Sequence, residues 1–229
     1  MSGLPPAGVL FDAGGTLVQL HAERLADELR ERGHDPHELD DAFWHTLVLL
    51  DEEFGPSAGV WTDWFPRWLG KVAERCRVPH EVMADAWAAA DAEAILWDHP
   101  IDGAKDCLIR LRMDGVRVGV VSNSDGRIQE GLERAGLLDL LEVVIDSGTI
   151  GVEKPDPAIF THAMEPLGLT PETTWYLGDT VQYDAAAADA AGLTSWVFDH
   201  KGLHTVAHPR RVHDLLGFAD QVIAARRAG

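Results

Sequence analysis

Apolar residues change their spacing along the chain, and the changes mark its parts. Gly8-Val9-Leu10-Phe11 is a continuous apolar run that stops at Asp12 and a glycine pair, the pattern of a buried strand ending in a functional turn. From His21 to about Leu96 the spacing is helical. Leu25 and Leu29 mark one segment, Leu39, Phe43, Leu47 and Leu50 a second, Trp64, Trp68 and Val72 a third, and Val82, Ala86 and Ala89 a fourth. Gly33, Gly55, Pro56 and Pro79 punctuate them. From Asp98 onward strands and helices alternate: helices over 104–113, 128–135, 157–167 and 185–191, strands over 116–122, 143–146, 175–178 and 195–198. That alternation implies right-handed crossovers and an α/β fold with a doubly wound parallel sheet. The expected organisation is a discontinuous Rossmann-like core over residues 1–20 and 97–229 with a small α-helical insertion at 21–96. Ligands in such sheets bind beyond the carboxyl ends of the strands, where Asp12, Ser122 and Asp179 fall.

Composition narrows the function. The 229 residues are 46% hydrophobic and 25% charged, ordinary for a globular chain. No apolar run approaches the roughly 20 residues that span a bilayer. The N-terminal segment lacks a basic n-region and reads as a first core strand, not a signal peptide. Cys76 and Cys107 are far apart and form no disulfide framework, which fits a reducing cytoplasm. The net charge of −19 disfavours nucleic acid and anionic membranes alike. Residues 21–96 carry seven Lys/Arg against seventeen Asp/Glu, a solvated helical surface. A small-molecule partner remains, bound by a monomer or homodimer, and an anionic one needs its positive charge supplied locally.

Four segments can supply that chemistry. They are Phe11-Asp12-Ala13-Gly14-Gly15-Thr16-Leu17, Val120-Val121-Ser122-Asn123, Gly151-Val152-Glu153-Lys154-Pro155-Asp156-Pro157 and Leu177-Gly178-Asp179-Thr180-Val181-Gln182-Tyr183-Asp184. Each alone is an ordinary turn, cap or surface charge. Together, Asp12 and Asp179 make an oxygen-lined site suited to Mg2+, which usually takes one or two carboxylates plus substrate phosphate. Ser122, backbone amides and Lys154 offer donors and positive charge to a phosphoryl group.

In the order and spacing of these motifs the chain resembles the haloacid dehalogenase superfamily, from about Gly8 to His200. The resemblance implies a phosphoric monoester hydrolase with Asp12 as nucleophile and Mg2+ held by Asp12, the Gly14 carbonyl and Asp179. It implies that Ser122, Asn123 and Lys154 bind the phosphoryl group, that Thr16 supports the loop and the substrate side, and that Asp184 steadies the metal or Lys154 from behind. It also implies that the helical insertion is a mobile cap.

One position departs from the family's phosphatases. They usually carry a second aspartate two residues after the nucleophile, as general acid and base, and here that residue is Gly14. Such assistance is typically worth roughly 10²–10⁴-fold in rate. His21 and Glu23 are candidate substitutes. The family's dehalogenases also lack this aspartate, but they lack the Gly-Asp metal ligand as well, which this chain keeps as Gly178-Asp179. Phosphonate hydrolysis would need a cap lysine, and Lys71 suits a helix surface better. A binding protein without turnover is the alternative from another class. Six of the eight tryptophans, Trp44, Trp61, Trp64, Trp68, Trp87 and Trp97, lie between 44 and 97, the expected core of the helical part. His200, His204, His208 and His213 are expected in loops and at the surface, because Gly202 and Pro209 break any helix that would align them.

Overall fold

The computed structural model describes residues 4–54 and 61–228, the side chains of residues 50, 54 and 61–64 excepted. Its strands are β1 (Gly8–Phe11), β2 (Val18–Gln19), β3 (His99–Pro100), β4 (Arg117–Ser122), β5 (Val143–Asp146), β6 (Thr174–Gly178), β7 (Thr194–Phe198) and β8 (Arg211–Val212). The helices are α1 (Ala22–Glu31), α2 (Leu39–Phe54), α3 (Trp61–Cys76), α4 (His80–Glu93), α5 (Ala104–Met113), α6 (Ile128–Arg134), α7 (Ser147–Ile150), α8 (Ile159–Leu167), α9 (Ala186–Ala190) and α10 (Leu215–Ala228).

Six strands form one parallel sheet in the order β5-β4-β1-β6-β7-β8, the doubly wound α/β arrangement read from the sequence. Period-2 alternation gives the sheet two buried faces. Val9, Phe11, Val118, Val120 and Leu177 join the helices α5 and α10 in one core. Leu10, Val121 and Tyr176 point the other way, into a core shared with α8 and α9. Chain order reverses at β1, with β4 on one side and β6 on the other, so the crevice at their carboxyl ends is the natural ligand position.

Helices α1–α4 bury a third apolar cluster built on Leu25, Leu29, Phe43, Trp68, Met83 and Trp87. Phe43 and Trp68 meet edge to face with centroids 4.4 Å apart. The fourth helix buries Ala86 as expected, but with Met83, Trp87 and Ala90 in place of Val82 and Ala89. The rotation brings Trp87 inside, and with it most of the helix's apolar surface. Trp44 packs instead with the sheet core. The expected breaks at Gly55 and Pro56 and the side chains of Trp61 and Trp64 lie outside the described residues.

Three expected helices begin later than their patterns suggest or end earlier, and a π-helical turn over Val181–Ala185 precedes α9. The short antiparallel pair β2–β3 and the terminal β8 and α10 carry no distinctive pattern of their own. Among the described residues, no helix is long and apolar enough to cross a membrane.

Asp98, buried at the base of the helical unit, accepts from Arg24 Nη2 at 2.7 Å and Arg134 Nε at 2.9 Å, with His21 Nδ1 3.0 Å from its other oxygen. Burial pushes its carboxyl up, but these partners outweigh that and hold it below its ordinary value. A depressed carboxyl stabilises the fold above its unfolded value and loses that contribution as the pH falls. Asp98→Asn should therefore cost about 1–3 kcal/mol at neutral pH. The gap from wild type should begin to narrow below about pH 3.9 and close only as the pH falls through the depressed folded value, as read by urea denaturation along a descending pH series.

Candidate active site

Every polar group of the site enters from a strand end or the loop beside it. Asp12 follows β1, with its backbone N–H bonded to Leu177 O at 2.9 Å. The chain then reverses, because Leu17 N and Val18 N both donate to Ala13 O, at 2.8 and 2.9 Å, and Gly15 N donates to Val18 O at 2.8 Å. Gly15 has φ +80°, and a Cβ there would strike the Asp179 carboxylate. A Cβ on Gly178 would likewise strike Asp184, which the π-turn folds back under β6. Both glycines of these motifs are thus room for a carboxylate.

Lys154 is the centre. It is 3% exposed, and its ammonium donates to Asp12 Oδ1 at 2.6 Å, Asp184 Oδ1 at 2.7 Å, Tyr176 OH at 2.9 Å and Val121 O at 3.2 Å. Asn123 clamps its backbone in both directions, Nδ2 to Lys154 O and Lys154 N to Oδ1, each at 2.8 Å. Asp184 also accepts from Tyr176 OH at 2.7 Å and Thr180 N at 3.0 Å. Asp146 ties down the loop after β4 by accepting from Gly126 N and Ile128 N at 3.0 and 3.1 Å.

Charge is not balanced here. Burial pushes the Asp12 carboxyl up to about 6, and Lys154 pulls against it. Burial, then Asp184 and Asp12, raises Asp179 well above its ordinary value. Asp184 is desolvated too, yet the Lys154 ammonium and its hydrogen bonds hold it low. One ammonium faces three buried carboxylates.

A cavity of about 330 Å³ opens over this cluster, and Asp12, Gly14, Ser122, Asn123, Lys154, Asp179 and Asp184 all border it. Seven of the eight candidates thus come together. Thr16 does not: it is fully buried, its hydroxyl is unbonded among the described residues, and it lies outside the cavity wall. It can support the loop but does not reach a substrate. The side-chain amide of Asn123 is spent on Lys154, so it positions that residue. His21 is bound to Asp98 and Glu23 is exposed, both away from the cavity. Lys71 pairs with Glu74 on the surface.

The profile of the haloacid dehalogenase-like hydrolases matches residues 6–192. The chain belongs to that family. A glyceraldehyde 3-phosphate phosphatase of Methanopyrus kandleri is 30% identical over 92% of this chain and 91% of its own. A family hydrolase from Deinococcus radiodurans R1, solved with bound phosphate and sodium, is 26% identical with a TM-score of 0.65, covering 96% of each chain. A 2-haloacid dehalogenase from Pseudomonas syringae shares the fold, with 22% identity and a TM-score of 0.60 over 98% of this chain and 100% of its own.

In this hydrolase the donor set fits a hard cation. Asp179 Oδ2 is buried without a hydrogen-bond partner among the described residues, on a carboxylate beside two others. No cluster of three or more His, Cys, Asp or Glu among them could hold a metal by side chains alone. A cation here would take Asp12, Asp179 and the Gly14 carbonyl and fill its shell with water or substrate oxygen, the habit of Mg2+.

Four residues at this cavity or beside its lysine escaped sequence reasoning. Tyr176 reads as an apolar core residue because strand alternation hides it, although its hydroxyl reaches Lys154. Trp97, Asp91 and Arg127 border the cavity from segments without a motif. The expectation for His204 needs a correction as well. His204 is buried, and its Nε2 donates to the Asp179 carbonyl at 2.7 Å. His213 Nδ1 is bonded to Asp199 O at 2.6 Å. His204 ties the loop before β8 to the strand end that carries Asp179, whereas His213, after β8, is exposed in a loop as expected.

Lys154→Met should destabilise the hydrolase by about 3–5 kcal/mol at pH 7, since it leaves buried carboxylates unneutralised. Without the ammonium Asp12 rises further and Asp184, no longer held low, joins it and Asp179 above its unfolded value, so stability is lost as pH rises through the raised folded values. The variant should therefore melt higher at pH 5 than at pH 7 relative to wild type, by calorimetry.

Proposed function

We propose that the chain is a Mg2+-dependent phosphatase acting on small phosphate monoesters through an aspartyl-phosphate on Asp12. The observation that carries this reading is the Lys154 ammonium bonded to one oxygen of Asp12, beside a buried Asp179 oxygen with no partner among the described residues. The relative named a phosphatase and the family structure holding phosphate support it. Lys154 engages Asp12 Oδ1, which leaves Oδ2 to attack phosphorus while the ester P–O bond breaks and its electron pair leaves with the alcohol oxygen. Water then cleaves the acyl phosphate and restores the carboxylate. Ser122, whose hydroxyl has no hydrogen bond among the described residues and which borders the cavity, donates to a phosphoryl oxygen. Tyr176 and Asp184 hold the ammonium in place. Mg2+ on Asp12, Asp179 and the Gly14 carbonyl would neutralise phosphoryl charge that one lysine cannot.

Residues 21–96 serve in this reading as the cap, since Leu47, Phe65, Trp87 and Asp91 from α2, α3 and α4 border the same cavity. Dehalogenation is the second reading, favoured by Gly14 and by neighbours of that activity. It leaves the Asp179 oxygen without a task.

Mg2+ should be required for release of phosphate from an aryl phosphate, and excess chelator should abolish it. Halide release from a 2-haloacid that survives chelation would install the dehalogenase instead. Asp12→Asn should remove turnover altogether, and loss of Lys154 as donor should cost roughly 3–4 kcal/mol of transition-state stabilisation. A near-wild-type rate in Asp12→Asn would refute the covalent route.

The missing acid makes a separate test. Gly14 is outside the left-handed region, so an L side chain suits its backbone, but its Cβ would lie 3.3 Å from Trp97 Cε3. Gly14→Asp should therefore speed alkyl phosphate hydrolysis only modestly. Gly14→Asp with Trp97→Ala should approach the roughly 10²–10⁴-fold gain of general acid catalysis. A folded double variant with no gain on any alkyl phosphate would show that another group already supplies the proton.

A further inference from the structure

The cavity has a charged floor and an apolar wall. Leu47, Phe65, Trp87, Ile95, Trp97 and Ile128 face it above Asp12. Phe65 and Trp87 meet edge to face with centroids 5.2 Å apart, so two ring edges bound one side. Among the described lining residues the cations are Lys154 and Arg127, and both are committed. Arg127 binds Asp91 through Nη2 and lies 3.3 Å from Asp125 Oδ2 through Nε. A leaving group with its own carboxylate or second phosphate would find these carboxylates and no uncommitted cation among the described residues.

The second observation is at the leaving-group side. The indole of Trp97 lies 3.3 Å from where a Cβ of residue 14 would stand. An apolar ring therefore crowds the position from which a side chain at residue 14 would reach the departing oxygen. Gly131 fixes that ring's backbone, because a Cβ there would strike Trp97 O. A site built this way suits an alcohol that departs without a proton.

Resting on the phosphatase reading, we propose that the substrates are phosphate monoesters of uncharged aromatic hydroxyl compounds, with the ring seated against Trp97, Trp87 and Phe65. A phenol ionises near 10, as tyrosine does, far more readily than an alkanol. Asp12 forms its bond to phosphorus, the P–O(aryl) bond breaks, and the phenolate takes its proton from water. Water then releases phosphate from Asp12, so one ester and one water give one phenol and one phosphate. The cavity, about 330 Å³, is at the small end of ligand pockets and takes one ring, or two fused, rather than a coenzyme.

Steady-state kcat/KM with Mg2+ separates ring recognition from leaving-group acidity. The probes are phenyl phosphate, a fluorinated alkyl phosphate whose alcohol is as acidic as phenol, and 4-carboxyphenyl phosphate. Phenyl phosphate should exceed both others by about 10–100-fold, the range that apolar contact with one ring supports. Phe65→Ala should collapse the phenyl-to-fluoroalkyl ratio, chiefly through KM. Should that variant fail to fold, product inhibition of the wild type decides: phenol should inhibit at a concentration at least about tenfold below cyclohexanol. Equal rates on phenyl and fluoroalkyl esters, or preference for the carboxylated ring, would overturn this inference and leave the phosphatase standing. Phosphate release from none of the three esters would overturn both.

Discussion

A single buried ammonium organises the carboxyl end of the sheet. An ionised lysine costs several kcal/mol to desolvate unless it is paired and hydrogen-bonded. Lys154 meets that condition with acceptors from three strand ends: Asp12 after β1, the Val121 carbonyl of β4, and Tyr176 and Asp184 on either side of the β6 end. The strands must hold their order for those acceptors to converge, and the π-turn must fold Asp184 under Gly178. The ammonium suppresses repulsion between Asp12 and Asp184 but leaves Asp179 uncompensated. The same constraint that builds the fold thus prepares a place for a cation.

Gly14 and Trp97 share one volume. Glycine at 14 admits the indole, and the indole closes off the position that an acidic side chain would use. The indole brings apolar surface to that position, and it couples the sheet core to the helical unit, since Trp97 packs against both cores. It stacks on Trp68 at 6.3 Å and meets Phe43 at 5.9 Å. Packing of the helical unit and the surroundings of Gly14 therefore rest on the same ring.

The sheet and the charged floor were legible because a short apolar run that stops at a polar residue and a turn seldom forms anything but a buried strand. Asp12, Ser122 and Asp179 could be placed from their strand ends and Lys154 from the motif that carries it, and the convergence of the first three follows from the parallel order. The wall was not legible. Trp97, Asp91 and Arg127 reach the cavity through tertiary packing from segments with no local signature, and Tyr176 is indistinguishable in sequence from a core aromatic. Thr16 misled for a simple reason: a hydroxyl next to a catalytic loop reads as a ligand, whereas the reversal at Ala13 turns it inward. His204 misled in the opposite direction, since a loop histidine reads as surface until its partner, a backbone carbonyl, is known.

The helical unit is fastened to the site by its own acids. Asp51 of α2 accepts from Val181 N and Gln182 N at 2.7 and 2.8 Å, in the turn that follows Asp179. Burial pushes its carboxyl up to about 6 against those two amides. Glu52 next to it accepts from Thr205 N and Thr205 Oγ1, both at 2.7 Å, beside the histidine that holds the Asp179 carbonyl. Across the cavity Asp91 of α4 grips Arg127. The strong acidity of residues 21–96 is therefore not only a solvated surface: three of its carboxylates hold the helices onto backbone amides and an arginine at the cavity rim. The helical unit that borders the cavity and the turn that carries Asp179 and Asp184 are tied together through the same few hydrogen bonds.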